Sequence, residues 1–455
     1  MDSKVNIIDY IKVNKFKLCQ SLLCFASYAG LGAVITLLGT SLLDYQILTS
    51  SSFHTIVYLV QIRSVGYILG SISGNFSWKH LFASHFLEKV FHQTLILTFS
   101  NLVLGCTLIA TPYFENVILL FIATLFIGIT FGILEIYVHV YIGFLWKAES
   151  TNYLQALHMF FDVGALVSPV ITRPFLLPID PDEYNAQSNQ TLTNLSSTTE
   201  VKIFTKNDLL IQYPHAIMGL FLFLVGIAFT ITSFKDHSEQ DSIEQETDQS
   251  SDQSLNWKQR VAIIVTALIV NFEFGANNLV SALGPAFAVK SNLKMTKQEA
   301  ALLVTAYWSS CCIYRLIMIP AAIYFKESSL IIANSVIMIC GAAVMGYTGD
   351  SNQTLIWISL ILLSLGFSPC FAFAFGYIQK HFTVQSSMAS AMFLCGTLGE
   401  SIHPWIVSFY MESWSAFYSF YFAFIAILNA LLCIFLVYFV TKFISHTRDE
   451  YLEVK

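Results

Sequence analysis

Apolar residues run through this chain in long blocks separated by shorter polar stretches. A helix needs about twenty apolar residues to cross the hydrocarbon of a bilayer. Twelve blocks of that kind are predicted, at 18–38, 54–74, 93–111, 117–144, 153–176, 214–234, 259–288, 300–324, 329–347, 354–378, 388–411 and 416–444. Two of the polar gaps are long. One, 178–213, is centred on DPDEYNAQSNQTLTNLSSTTE; the other, 235–258, is acidic and rich in Ser and Gln (DHSEQDSIEQETDQSSDQS). The second has too little apolar content to fold alone and reads as a solvated tether. Because it follows the sixth block, the expected order is a tail 1–17, a six-helix bundle 18–234, a flexible linker 235–258, a second six-helix bundle 259–444 and a tail 445–455. The expected class is an all-α integral membrane protein whose twelve transmembrane helices form two pseudo-symmetric bundles.

The fifth block is the least ordinary. Its sequence NYLQALHMFFDVGALVSPVITRP is apolar enough to span, yet Gln155, His158, Asp162, Ala165 and Pro169 fall at helical spacing on one stripe. Such a stripe is costly in hydrocarbon unless it faces a bundle interior or water. The eleventh block echoes it at a constant spacing, pairing Ala156 with Ala391, Gly164 with Gly399, Pro169 with Pro404 and Ile171 with Ile406. Glu400 then falls opposite Ala165. A sparser match pairs Gly30 with Gly275 and Leu38-Gly39 with Leu283-Gly284, shifted by ten residues relative to the first match. An insertion around 75–84 would explain the shift. Two halves with matching polar helices are how solute carriers are built.

Composition sharpens this picture. The 455 residues are 55% hydrophobic and 11% charged, against about a quarter charged in a soluble protein; the mean hydropathy is +0.64. The net charge of −6 sits largely in the tether and implies no nucleic-acid partner. Lys4, Lys12, Lys15, Lys17, Lys79, Lys89, Lys147, Lys235, Lys258, Arg260, Lys326, Lys380, Lys442, Arg448 and Lys455 fall on the side of both termini. Arg173, Lys202, Lys206, Lys290, Lys294 and Lys297 fall on the other. This bias predicts cytoplasmic termini. The sequons at Asn189, Asn194 and Asn352 then lie outside as expected glycosylation sites, and Asn75 lies inside. The nine cysteines lie in or beside apolar blocks and suggest no disulfide or zinc framework. No GxSxG, GxxxxGK[ST] or HExxH occurs, so enzymatic chemistry and ATP-driven pumping are not expected.

The stretches GLGAVITLLGTSLLD, RSVGYILGSISG, NYLQALHMFFDVGALVSP, NFEFGANN, YWSSCCIYRL and GTLGESIHPWIV resemble the major facilitator superfamily. Within it, they are similar to the sodium-dependent glucose transporter group, also called major facilitator superfamily domain-containing protein 4. The resemblance covers most of the membrane part but not the loops. It implies the major facilitator fold, a monosaccharide (glucose) substrate and Na⁺ as coupling ion, with no other cofactor. Such a carrier sits in a lipid bilayer, and a monomer in the plasma membrane is expected.

Charged and polar groups inside the spans are the candidate chemistry, since a charge at mid-bilayer costs at least ~2.5–3.5 kcal/mol. Glu135 and His139 share a face of the fourth span, and a carboxylate beside an imidazole suits Na⁺ or H⁺. With Asp162 and Glu273 they are the expected ion-coupling groups. Asn277, Asn278, Gln155 and His158 offer the donors and acceptors that sugar hydroxyls need, and Trp308 a stacking face. Arg63 and Glu400 are expected to pair across the halves, because the resemblance places the second and eleventh spans side by side. Arg315, nearer the terminal side of its span, is expected to gate. A plain alternative exists for each: buried pairs and helix–helix hydrogen bonds use the same residue types. The remaining rivals are an uncoupled or H⁺-coupled carrier of another polar solute, and a sugar receptor that does not transport.

Overall fold

The computed structural model describes residues 13–75, 90–146, 150–193, 204–233, 256–382, 384 and 386–445, and no strand occurs among them. The helices are α1 (Lys15–Thr40), α2 (Leu42–Thr49), α3 (Phe53–Asn75), α4 (Val90–Ala110), α5 (Val117–Trp146), α6 (Ser150–Thr172), α7 (Pro181–Thr193) and α8 (Gln212–Ser233). They continue with α9 (Trp257–Lys290), α10 (Lys297–Tyr324), α11 (Glu327–Thr348), α12 (Gln353–Phe367), α13 (Cys370–Gln379), α14 (Ser386–Met411) and α15 (Phe417–Val440). Helix is the form that satisfies every backbone group of a single segment without water, which is why apolar blocks adopt it. Eleven spans among the described residues are long and apolar enough to cross a membrane, with α1 and α2 joined into one and α12 and α13 into another. The block at 388–411 is not among the eleven. It is nonetheless the 26-residue helix α14, which carries Thr397, Glu400, Ser401 and His403 and packs along α9.

The same pairing pattern occurs twice. In the first half α1 packs on α6, α3 on α5 and α4 on α8; in the second, α9 packs on α14, α10 on α12 and α11 on α15. The halves meet through α1 with α9, α3 with α14 and α6 with α10. Glycines set the closest approaches. A Cβ on Gly164 would lie 1.8 Å from the Ala29 carbonyl oxygen, and one on Gly399 would lie 2.0 Å from that of Asn271. These two contacts are repeat equivalents, and they correct the register of the first and seventh spans. Ala29 corresponds to Asn271, three residues earlier than the Gly30/Gly275 match places it. A second pair agrees: Gly32 packs on the Phe161 backbone, while in the other half Gly396 packs on the Phe274 ring. The glycine has changed sides of the contact, so identity matching misses it. In this register Gly39 faces its own equivalent, Ser281, whose carbonyl oxygen would lie 1.8 Å from an added Cβ.

The core is not divided evenly. One apolar cluster belongs to the first half alone, with Leu31, Leu104, Phe131, Leu134, Tyr141 and Leu222. The other joins both halves, and its first-half members include Leu38, Leu42, Tyr45, Phe53, Leu59, Leu177 and Ile211. Most of these sit at the ends of helices remote from the chain termini, hereafter the far face. The exposed apolar residues, among them Phe99, Ile118, Leu224, Ile313, Phe409 and Phe424, form the surface suited to acyl chains.

The tether 235–258 lies outside the described residues except at its end, where Asn256 caps α9. Asn194, residues 76–89 and the outer parts of both tails also lie outside them. Asn189 falls in α7, and Asn352 is exposed and caps α12 through its side-chain oxygen. At the far face Asp350 accepts hydrogen bonds from Ser415 (2.5 Å) and from the Asn292 side chain (3.0 Å), tying the exit of α9 to the start of α15. Burial works to raise the Asp350 carboxyl, but these hydrogen bonds outweigh it and hold it below its ordinary value. A depressed carboxylate contributes stability above its unfolded pKa and loses it as pH falls through the folded one. Asp350→Asn should therefore lower the melting temperature of the solubilised protein at neutral pH, and the difference should vanish under strong acid. A difference that persists there contradicts the assignment.

Candidate functional site

Span four brings two groups inward one turn apart. Both Glu135 carboxylate oxygens accept from tyrosine hydroxyls, Oε1 from Tyr28 of α1 at 3.0 Å and Oε2 from Tyr67 of α3. His139 Nδ1 donates to the Glu135 carbonyl oxygen at 2.8 Å, so its Nε2 carries the lone pair. That Nε2 faces His158 Nε2 at 3.4 Å, which makes His158 the donor and leaves its Nδ1 as an acceptor without a protein partner among the described residues. Tyr28 packs edge-on against both imidazoles. Tyr28 and Tyr67 escape a reading of the sequence, because aromatic residues in an apolar block look like packing. Their hydroxyls are the available signal, since a buried O–H needs a partner.

The stripe on α6 divides. Gln155 is exposed and His158 half-buried, while Asp162 and Ala165 are buried. Asp162 Oδ2 lies 3.3 Å from Arg315 Nε of α10, and Arg315 also donates to the Ser368 carbonyl at 3.0 Å, where α12 gives way to α13. Asp162 is therefore an ion-pair partner in this structure, and Arg315 reaches across the halves. Arg63, fully buried, donates from Nη2 to Glu400 Oε1 at 2.9 Å and to Asn278 Oδ1 at 3.2 Å. Each half thus supplies one arginine from its second span and one carboxylate from its fifth, and the two pairs cross the interface reciprocally.

Span seven contributes the rest. Glu273 accepts from the Phe371 backbone N–H at 2.8 Å. Asn278 donates to the Glu400 carbonyl at 2.6 Å and accepts from Arg63, so its amide is occupied on both sides. Asn277 accepts from Tyr307 at 2.8 Å, and its amide N–H₂ has no protein partner among the described residues. Trp308 is buried, with Nε1 donating to Ser281 at 3.1 Å and its ring edge-on to Phe161 of α6. It seals the halves together, and no open face is left for stacking. Phe393 of α14 joins the two sides, touching His139, His158, Phe274 and Phe371. His403 and Asn271 pair behind it at 3.1 Å.

The arrangement supplies donors and acceptors of the kind that sugar hydroxyls need. Glu135 and Glu273 form no ion pair among the described residues, His158 and Asn277 keep a free acceptor and a free donor, and Phe393 lays an apolar ring against His139 and His158.

A family model described as Major Facilitator Superfamily matches residues 204–404. The chain is 23% identical over 390 residues, 85% of it and 72% of the relative, to "Sodium-dependent glucose transporter 1" of Homo sapiens. It is 31% identical over 159 residues, 35% of it and 28% of the relative, to "Major facilitator superfamily domain-containing protein 4B" of Danio rerio. Among solved structures, the xylose transporter XylE of E. coli in a partially occluded inward open conformation superposes with a TM-score of 0.66. The match covers 94% of this chain and 98% of that one at 12% identity, which speaks to fold alone.

Proposed function

This chain is a major facilitator superfamily protein rather than an enzyme, and from that premise we propose that it is a secondary carrier of a monosaccharide, glucose foremost, coupled to Na⁺. One observation carries the reading. Ionisable and amide groups of both halves meet at their interface, Arg63 with Glu400 and Asn278, Arg315 with Asp162, and His139 and His158 with Phe393, instead of facing lipid. The names of the relatives supply the sugar and the ion. Na⁺ takes oxygen ligands, and Glu135 and Glu273 are the embedded carboxylates left without a cationic partner among the described residues. Coupling follows if ion and sugar both favour the same state. Cytoplasmic termini put the far face outside the plasma membrane, with the sequons at Asn189, Asn194 and Asn352 on that side as the glycosylation sites and the linker 235–258 inside.

The His139–His158 contact favours a second reading, in which H⁺ is the coupling ion and is held by the imidazole pair next to Glu135. Labelled-glucose uptake by cells expressing the chain separates the two. Replacing Na⁺ by choline should lower uptake at least tenfold at constant pH, and Glu135→Gln should remove the Na⁺ response while the protein still reaches the surface. A response to pH alone selects the H⁺ reading. Saturable uptake indifferent to both ions overturns coupling, and no saturable uptake overturns transport.

A further inference from the structure

We infer that Asp44 and Lys297 are gating residues that hold the far face shut, with the Gly39–Ser281 contact as the seam they close. The inference rests on the transport reading. Asp44 lies in the first turn of α2, the short helix that follows the break in α1 at Ser41, and is fully buried. Its Oδ1 is 2.5 Å from Lys297 Nζ at the start of α10, in the other half, and its Oδ2 accepts from the Leu177 backbone N–H at 3.2 Å. Next in sequence, Gln298 donates to the Leu176 carbonyl at 2.9 Å. Lys290, at the end of α9, reaches Asp182 at 3.1 Å and lies over the Phe53 ring. Apart from the Asp44–Leu177 bond, which anchors Asp44 within its own half, these ties join the first half to the second at one face.

Physical chemistry makes the pair a switch rather than a rivet. Burying two charges costs nearly what their attraction returns, so a buried pair adds little net stability, whereas removing one partner strands the other. Opening the far face would let water reach both charges, and the two states would stay near balance, as alternating access requires. Neutralising Asp44 strands Lys297 only in the closed state, so the population must move toward the open one. The seam acts in the same sense. Since a Cβ on Gly39 would fall 1.8 Å from the Ser281 carbonyl oxygen, even alanine should wedge α1 and α9 apart.

The test needs no sugar, so its failure is distinct from failure of the transport reading. Spin labels at Glu115→Cys and Glu412→Cys, exposed far-face positions in opposite halves, report the opening by pulsed electron resonance in a protein whose exposed Cys19, Cys106 and Cys340 are serines. The parent should give mainly a short distance. Asp44→Asn should raise the ratio of long to short distances at least tenfold, and Lys297→Gln and Gly39→Ala should move it the same way. Exchanging the charges (Asp44→Lys with Lys297→Asp) should restore the short distance. If the folded variants keep the parent distribution, or if the exchanged pair stays open, the gate assignment is wrong.

Discussion

Arg63→Gln is expected to lower the stability of the protein by about 3–5 kcal/mol, the cost of leaving one member of a buried ion pair uncompensated. Glu400 would then remain buried with its carboxylate facing no cation, and Asn278 would lose the donor to its side-chain oxygen. Packing offers no relief, because an added Cβ on Gly128 would lie 2.1 Å from the Arg63 carbonyl oxygen, which pins α3 against α5. Glu400→Gln should cost a similar amount. The double variant Arg63→Met with Glu400→Met removes both charges at similar volume and should recover most of that loss, short of what the orphaned Asn278 costs. Thermal unfolding of the detergent-solubilised proteins reads the comparison. If the double variant is as unstable as the singles, the pair is not the source of the penalty. Sugar uptake adds a second readout. A pair that works in the cycle leaves the double variant stable and at least tenfold slower, whereas a merely structural pair leaves it stable and active.

Valine at Gly164 or at Gly399 is expected to prevent either half from forming. A Cβ at these positions would sit 1.8 Å and 2.0 Å from backbone carbonyl oxygens of α1 and α9, and a backbone cannot move aside as a side chain can. Overpacking in a tight core typically costs about 1–3 kcal/mol and more where relaxation is blocked. Gly143 is the control, since an added Cβ there meets nothing within 4 Å. Gly143→Ala should express and unfold like the parent, while both valine variants should aggregate on extraction. Normal unfolding of Gly399→Val would mean that α9 and α14 do not approach as closely as described.

Spans were legible because hydrocarbon tolerates only long apolar helices, and the period of the polar stripe on α6 showed which face turns inward. Partners were not. Asp162 meets Arg315 and Asp44 meets Lys297 across more than half the remaining chain, and nothing local encodes either encounter. Arg63 with Glu400 was an exception, since a resemblance of the chain to a known fold carries helix adjacency that composition lacks. Trp308 illustrates the limit of residue type alone: an indole that could stack on a sugar is instead bonded to Ser281 and packed on Phe161. Asp44 does leave a local signal, a carboxylate with Leu42 and Leu43 before it and Tyr45 after it. The repeat was visible through Gly164 and Gly399, yet its register in the first and seventh spans came out three residues off, because close approach conserves space and not the helix that provides it.

Equilibrium binding of labelled glucose to the purified protein in Na⁺, measured for single variants from opposite halves, bears most directly on a sugar site shared between them. Affinity should fall at least tenfold, about 1.4 kcal/mol, for His158→Ala in the first half and again for Asn277→Ala in the second. Binding that one of these folded variants leaves unchanged would place the sugar within a single half and contradict the shared site.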